Sequence, residues 1–412
     1  MRTRPLPVLA AISALALVGS ARLGSSEPPV PEDVLFLRTS RGITLVNAVS
    51  EAPAVVLPNA VPSTDWSAVV QAVRQRQVTR IEAFDPSSGG QLWSRVVPGN
   101  LEVKVASTDG RMVALGGTRG GGTGYPVGRS FTRLVVIDQE GAEPRTMRLE
   151  GNYEPEAFSS DGKSLFVIEY LPPRRPTSYR VRRLDLGTEE VVGVYTVDAE
   201  LQEAMQGTAR IQAASPDGRR LYTLYTIDGA DGTRHAFVHV LSLDELWAHC
   251  VDLPSNFGTA YERDIALSVS RDGTRLYVAD GSTGAVAEVD TETLAITRTG
   301  DVGSGPQGGT AYAASGRDGM LFLGKGARLL AVDASTLATT RSWDMEGRIT
   351  GMQAAWDGGR LYVGLKDQIV ILDTVTGESV GVLDPANVDN LGQLGQTARS
   401  LDEERTEIVC AC

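Results

Sequence analysis

The chain has few of the side chains on which most enzyme active sites depend. Its 412 residues include only three histidines and three cysteines, and only four of its 39 basic residues are lysines. It contains no His-Glu-x-x-His, Gly-x-Ser-x-Gly or Cys-x-x-Cys-His sequence, which argues against common zinc peptidases, α/β-hydrolases and attached haem. The sequence therefore identifies no catalytic residue, and we expect no metal site and no cofactor.

Positive charge and long apolar segments are also scarce. Acidic residues number 51, so the formal net charge is −12. This balance argues against nucleic acid as a partner, because phosphate binding needs a basic surface. The one long apolar stretch, residues 6–19, is shorter than a standard membrane-spanning helix.

This apolar stretch instead fits a secretory signal peptide. Two arginines precede it, and Gly19, Ser20 and Ala21 supply the small residues of a cleavage site. We expect a signal peptide at residues 1–21 and a flexible lead-in at 22–32, and retention as an uncleaved anchor is the alternative. The protein would then be secreted or held at the cell surface, without an integral membrane span after cleavage.

The most frequent local pattern is an Asp-Gly pair placed just before an apolar strand. The six pairs begin at Asp109, Asp161, Asp217, Asp272, Asp318 and Asp357, and a degenerate copy lies at Asp65. Successive aspartates are 39 to 56 residues apart. A period of this length is typical of stacked structural repeats.

Each repeat is predicted to form four short antiparallel strands. Residues 265–299 contain four apolar or alternating segments separated by turns, which together are typical of one β-propeller blade. In this pattern the glycine of each Asp-Gly pair closes a hairpin loop. A second aspartate recurs after the third strand and is expected to bond the backbone ahead of it. It occurs as Asp85, Asp138, Asp185, Asp290, Asp333 and Asp373.

The repeat count predicts the size of the ring. Seven complete copies lie near residues 58–98, 99–150, 151–198, 208–254, 262–302, 306–346 and 347–384. A partial copy at 33–57 lacks a first strand, which residues 385–409 would have to supply. We therefore predict an all-β fold with a single β-propeller at 33–395 and a C-terminal tail at 396–412. The count favours eight four-stranded blades over seven.

Three consecutive repeats carry long insertions between their second and third strands. The insertions occupy residues 116–130, 171–178 and 227–235, and they should form one rim on one face of the ring. The rim is locally basic in an acidic protein, so its arginines would offer forked donors to an anionic partner. Tolerated surface insertions are the alternative. The candidate binding residues are Arg119, Tyr125, Arg129, Tyr170, Arg174, Arg175 and His235.

The three cysteines are Cys250, Cys410 and Cys412. In an exported protein we favour a disulfide between Cys250 and one of the last two, which would close a loop worth roughly 5 kcal/mol in the chain-entropy model. Free thiols are the first alternative. A metal site that includes the adjacent His249 is less favoured, because strand neighbours point to opposite faces.

The repeats resemble a known bacterial superfamily. The segment Ser-Pro-Asp-Gly-Arg-Arg-Leu-Tyr at 215–222 and the segment from Val289 to Leu294 are similar to the propeller repeats of the YVTN and lactonase-like proteins. Members of this superfamily include lactone hydrolases and extracytoplasmic proteins without a known reaction. We predict a secreted, non-enzymatic propeller whose inserted loops bind an anionic ligand, a protein or a cell-envelope component. A lactonase-like hydrolase with its site at the mouth of the central channel is the alternative.

Overall fold

The chain forms eight β-sheets arranged as the blades of a β-propeller. The computed structural model describes residues 33–39, 42–48, 53–58, 60–117, 125–141, 143–228, 234–258, 264–306, 310–355, 357–384 and 398–400. The predicted signal peptide and lead-in, and most of the predicted tail, lie outside these residues. In the part of the chain that is described, no helix has the length and apolar character needed to cross a membrane.

The strand bounds follow the predicted repeats, and we number the blades one to eight in chain order. Blade one contains Val34–Thr39 (β1), Gly42–Asn47 (β2) and Pro53–Leu57 (β3). Blade two contains Val61–Pro62 (β4), Val69–Gln75 (β5), Val78–Phe84 (β6) and Gln91–Pro98 (β7). Blade three contains Leu101–Ala106 (β8), Met112–Gly117 (β9), Phe131–Asp138 (β10) and Arg145–Glu150 (β11). Blade four contains Asn152–Phe158 (β12), Ser164–Leu171 (β13), Ser178–Asp185 (β14) and Val191–Gly193 (β15).

The second half of the ring has the same organisation. The two-residue strand Tyr195–Thr196 (β16) precedes blade five, which contains Thr208–Ala214 (β17), Arg220–Asp228 (β18), Arg234–Ser242 (β19) and Trp247–Asp252 (β20). Blade six contains Ile265–Val269 (β21), Arg275–Asp280 (β22), Ala285–Asp290 (β23) and Ala295–Asp301 (β24). Blade seven contains Ala311–Ser315 (β25), Met320–Lys325 (β26), Arg328–Asp333 (β27) and Ala338–Asp344 (β28). Blade eight contains Gly351–Ala354 (β29), Arg360–Gly364 (β30), Ile369–Asp373 (β31) and Ser379–Leu383 (β32), and Ala398–Ser400 forms a last short strand (β33).

The hydrophobic core lies between the blades rather than within them. Eight clusters of buried apolar side chains occupy the eight spaces between neighbouring blades. One of them joins Leu37 of blade one to Ile371 of blade eight. An open row of eight blades would have only seven such interfaces, so the eighth shows that the ring is closed. Closure removes the exposed sheet faces at the two ends of the row. The predicted eight-bladed propeller is confirmed.

The Asp-Gly turns adopt the predicted geometry. The six turn glycines have φ values between 67° and 74°, a left-handed conformation that glycine adopts without steric cost. In the turn of blade five, the Gly218 N–H donates to the Ser215 carbonyl at 2.9 Å, and the Ser215 hydroxyl donates to Asp217 at 2.5 Å. These turns join the first and second strands of their blades.

The second set of aspartates also has the predicted structural role. In all six, a carboxylate oxygen accepts the backbone N–H two residues ahead, at 2.7–3.1 Å. At Asp185, Asp290 and Asp373 the pKa of the carboxyl lies below its ordinary value. The main cause is the hydrogen bond that the carboxylate accepts from the backbone N–H three residues ahead. The six aspartates thereby fix the turns between the third and fourth strands of their blades.

The described part of the tail does not complete blade one. Blade one has three strands among the described residues, ordered β1-β2-β3. We expected a strand from residues 385–409 beside β1, but β33 pairs in antiparallel fashion with β17 of blade five. The inner edge of a first strand has free backbone groups, so it accepts a further strand wherever the chain reaches it.

Candidate functional site

The three inserted loops leave the ring on one face. Within each of blades three to five the four main strands lie side by side in chain order and run antiparallel, so every second-to-third connection emerges on the face where the chain crosses between blades. We call this the crossover face. The described parts of the loops are residues 125–130, 172–177, 228 and 234; Arg119 lies outside the described residues.

The first two loops are held tightly together. The Arg129 N–H donates to the Pro173 carbonyl at 2.9 Å, and the Tyr125 hydroxyl donates to the Thr177 carbonyl at 2.8 Å. A Cβ atom at Gly128 would lie 1.9 Å from the Arg174 carbonyl oxygen, so only glycine permits this approach. Residues 125–130 and 172–177 therefore form one continuous surface.

A row of aromatic rings connects this surface to blade five. The sequence of rings is Tyr125, Tyr170, Tyr179, Tyr225 and Phe237, with successive ring centroids 5.1–6.4 Å apart. Burial raises the pKa of the Tyr125 hydroxyl, which therefore stays a neutral donor. At the base of the third loop, Arg234 pairs with Asp228 at 2.7 Å. Ile227, which begins the third insertion, packs against the same cluster, so the described parts of all three insertions adjoin it.

The predicted binding residues divide into two groups. Arg174, Arg175 and His235 are exposed. Tyr170, in contrast, is fully buried among the rings, where it cannot contact a partner. We expected an exposed Arg129, but its side chain is only 30% exposed and pairs with Glu154 at 2.7 Å. Sequence alone did not reveal this, because Glu154 lies on the first strand of the next blade.

The wall of the central channel is charged in the same three blades that carry the inserted loops. First strands of neighbouring blades contact one another in blades two to four and in blades five to eight. In blades three, four and five these strands contain β-bulges, and the extra residues are Lys104, Glu156 and Arg210. Bulges re-aim side chains and are frequent beside functional sites. By comparison, β21, β25 and β29 contain no charged residue and no register shift.

Polar contacts between blades link these charges to the loops. Lys104 lies 3.2 Å from Glu102 and 3.8 Å from Glu154, the partner of Arg129. Farther along the wall, the Gln212 amide donates to Glu156 at 2.6 Å. The sequence signal for this network is the presence of charged residues within first strands that are otherwise apolar, and it matches no catalytic motif.

The opposite end of the channel is narrowed by the Asp-Gly turns. The turn of blade five reaches that of blade three, and a Cβ atom at Gly218 would lie 2.7 Å from a Thr108 methyl carbon. The Asp65 N–H of blade two donates to the Thr108 carbonyl at 3.1 Å. The Asp-Gly turns therefore approach one another at the end of the channel opposite the crossover face.

The histidines lie away from the channel wall. All three are on the third and fourth strands of blade five, and His239 is fully buried with its Nε2 atom 3.2 Å from the Gln202 amide nitrogen. Burial, followed by the nearby His249, lowers the pKa of His239 to about 3. Among the described residues, no group of three His, Cys, Asp or Glu side chains is arranged to hold a metal ion.

Cys250 is exposed on β20, with its sulfur 3.9 Å from that of Met205. Cys410 and Cys412 lie outside the described residues. The disulfide therefore remains a prediction.

Comparisons with known proteins extend the fold assignment but not the functional one. No protein-family model and no curated protein matches this sequence. Among solved structures, apo AztD from Citrobacter koseri is similar with a TM-score of 0.55 at 10% identity, over 88% of this chain and 96% of that one. BamB from Moraxella catarrhalis gives a TM-score of 0.47 at 16% identity, over 83% of this chain and 90% of that one. At these identities the likeness concerns the fold alone.

Proposed function

We propose that this protein is an exported, non-enzymatic β-propeller of the YVTN and lactonase-like kind that binds an anionic partner on its crossover face. The observation that carries the proposal is the interlocked pair of loops, which holds Arg174 and Arg175 exposed beside Tyr125. Guanidinium groups pair with carboxylates or phosphates through two parallel hydrogen bonds. Ordered loops lose less entropy on binding than flexible ones, which favours a recognition role.

The electrostatics of the face support this proposal. The whole chain carries a net charge of −12, so a basic rim stands against an acidic background and would orient an anionic partner during approach. The predicted signal peptide would bring the protein to the cell envelope, where anionic polymers and proteins are available as partners.

Binding rather than hydrolysis is proposed because of the chemistry at the channel mouth. The carboxylates of Glu102 and Glu154 are engaged with Lys104 and Arg129, and each histidine is on an outer strand of blade five. A hydrolase needs titratable groups that converge on a substrate.

The test is retention of the mature protein on isolated cell envelopes. Replacing Arg174 and Arg175 by Ala should weaken retention in a salt-sensitive way, while the melting temperature stays nearly constant because surface changes usually cost less than about 0.5 kcal/mol. Arg219→Ala on the opposite face, where the side chain is 65% exposed, is the matched control. Equal retention of the double variant and the wild type at low salt would contradict the proposal.

A further inference from the structure

Exposed apolar side chains lie beside the arginines of the crossover face. Val127 is 59% exposed and Phe131 is 43% exposed. Val127 precedes Gly128, whose backbone contacts Arg174, so it adjoins the arginine-bearing loop. Phe131 begins β10 at the end of the same segment. The described part of the first loop thus places an exposed apolar side chain next to the loop that carries Arg174 and Arg175.

Arginines on the outer strands of blade three extend the basic surface. Arg133 and Arg148 occupy directly opposed positions on β10 and β11, and the Arg148 guanidinium lies 3.5 Å from the ring centroid of Phe131. Like charges in directly opposed positions destabilise a sheet. Within the described residues, Arg148 pairs with Glu150 at 3.1 Å, whereas no acidic side chain pairs with Arg133, Arg174 or Arg175. A partner that brings carboxylates would relieve this repulsion.

The apolar residues distinguish between the possible anionic partners. A polyphosphate would be recognised by the arginines alone and would leave Val127 and Phe131 in contact with water. Burying apolar surface contributes about 25 cal/mol per Å², and this gain requires apolar groups on the partner. Surfaces rich in Tyr, Phe and Arg are typical of the centres of protein–protein interfaces.

We infer that the partner of the crossover face is a protein, bound through an acidic segment that also carries aromatic or aliphatic side chains. The arginines would pair with its carboxylates while Val127 and Phe131 contact its apolar groups. This inference rests on the proposed function and adds the chemical class of the partner.

Three polymers of defined composition test it on the immobilised mature protein at physiological ionic strength. They are a random glutamate–tyrosine copolymer, polyglutamate and polyphosphate. The wild type should bind the copolymer about tenfold more tightly than polyglutamate, which corresponds to about 1.4 kcal/mol. Replacing Val127 and Phe131 by Ser should remove this preference and leave polyglutamate binding unchanged.

Matched variants separate the two contributions. Phe131→Tyr keeps an aromatic ring and should retain the preference, which also shows that the position tolerates change. Val380→Ser with Val382→Ser removes two similarly exposed apolar residues from blade eight and should have no effect. Arg174→Ala with Arg175→Ala should weaken binding of all three polymers.

The outcomes distinguish this inference from the proposed function. Equal affinity of the wild type for polyglutamate and the copolymer would overturn the inference and leave the proposed function intact, and so would a preference that persists in the Val127 and Phe131 variant. Failure of the wild type to bind any of the three polymers would overturn both.

Discussion

The hydroxyl of Tyr362 donates a 2.7 Å hydrogen bond to the carboxylate of Asp33, which lies 329 residues earlier in the chain. Tyr362 is on β30 of the last blade, and Asp33 immediately precedes the first strand of blade one. Both residues are buried. The bond therefore crosses the interface that closes the ring.

Tyr362→Phe tests how much this contact stabilises closure. The variant keeps the packing of the aromatic side chain but removes the hydroxyl that donates to the buried Asp33 carboxylate. The free energy of unfolding should therefore fall by about 1.5–3 kcal/mol. Chemical denaturation measures the change. Tyr195→Phe is the control, because its side chain is 56% exposed and away from this interface. Equal stability of Tyr362→Phe and wild type would show that closure does not depend on the bond.

The buried ion pair between blades six and seven should show strong coupling. Lys325 and Asp264 are 6% and 1% exposed, and their charged atoms are 3.2 Å apart beside a cavity of about 40 Å³. Burial raises the pKa of the Asp264 carboxyl. Removing one charge leaves the other buried without compensation, so Asp264→Asn and Lys325→Met should each cost about 3–5 kcal/mol.

The double variant Asp264→Asn, Lys325→Met should lose far less than the sum of the single changes, because it leaves neither member of the pair charged. Urea unfolding of all variants completes the cycle. Additive losses would show that the two side chains contribute independently.

The protonation of His239 predicts a specific pH dependence. Folding lowers its pKa from 6.5 to about 3, so the unfolded chain binds the extra proton first as the pH falls. The free energy of unfolding is therefore unaffected by His239 above about pH 6.5. Below that pH it falls progressively towards pH 3, by about 1.4 kcal/mol per pH unit. His239→Gln should remove this slope between roughly pH 6 and 4, whereas His235→Gln at an exposed site should keep it. Denaturant titrations at several pH values measure both, and identical slopes in wild type and His239→Gln would contradict the prediction.

Two Gly→Ala changes separate the energetic cost of the contact between Asp-Gly turns from the cost of a left-handed backbone at alanine. Gly218 and Gly319 have φ values of 68° and 71°, but only a Cβ atom at Gly218 would meet another residue, Thr108. Both Gly→Ala changes should cost about 1 kcal/mol for the left-handed backbone, and Gly218→Ala should cost a further ~1–3 kcal/mol for the clash. Thermal unfolding gives the difference. Equal losses would mean that the turns do not pack across the axis.

The sequence was sufficient to predict the repeat because the structure of each blade depends on neighbouring residues. Asp-Gly turns such as Asp217-Gly218, the aspartates after third strands and the alternation of apolar residues are all local signals, and together they predicted the strands and the count of eight blades. The positions of the three inserted loops on one face also followed from strand order alone.

The binding surface depended on contacts between blades, which local patterns do not contain. Arg129 and Arg174 both lie in predicted loop insertions, yet one pairs with Glu154 of the next blade and the other is exposed. Tyr170 is buried because the rings of Tyr125 from blade three and Tyr179 from its own blade pack against it, within a cluster shared with blade five. The sequence by itself determined the blades, since each hairpin forms from adjacent residues. Only the closed ring decided which side chains remain free to bind, because burial and ion pairing depend on residues brought together from distant parts of the chain.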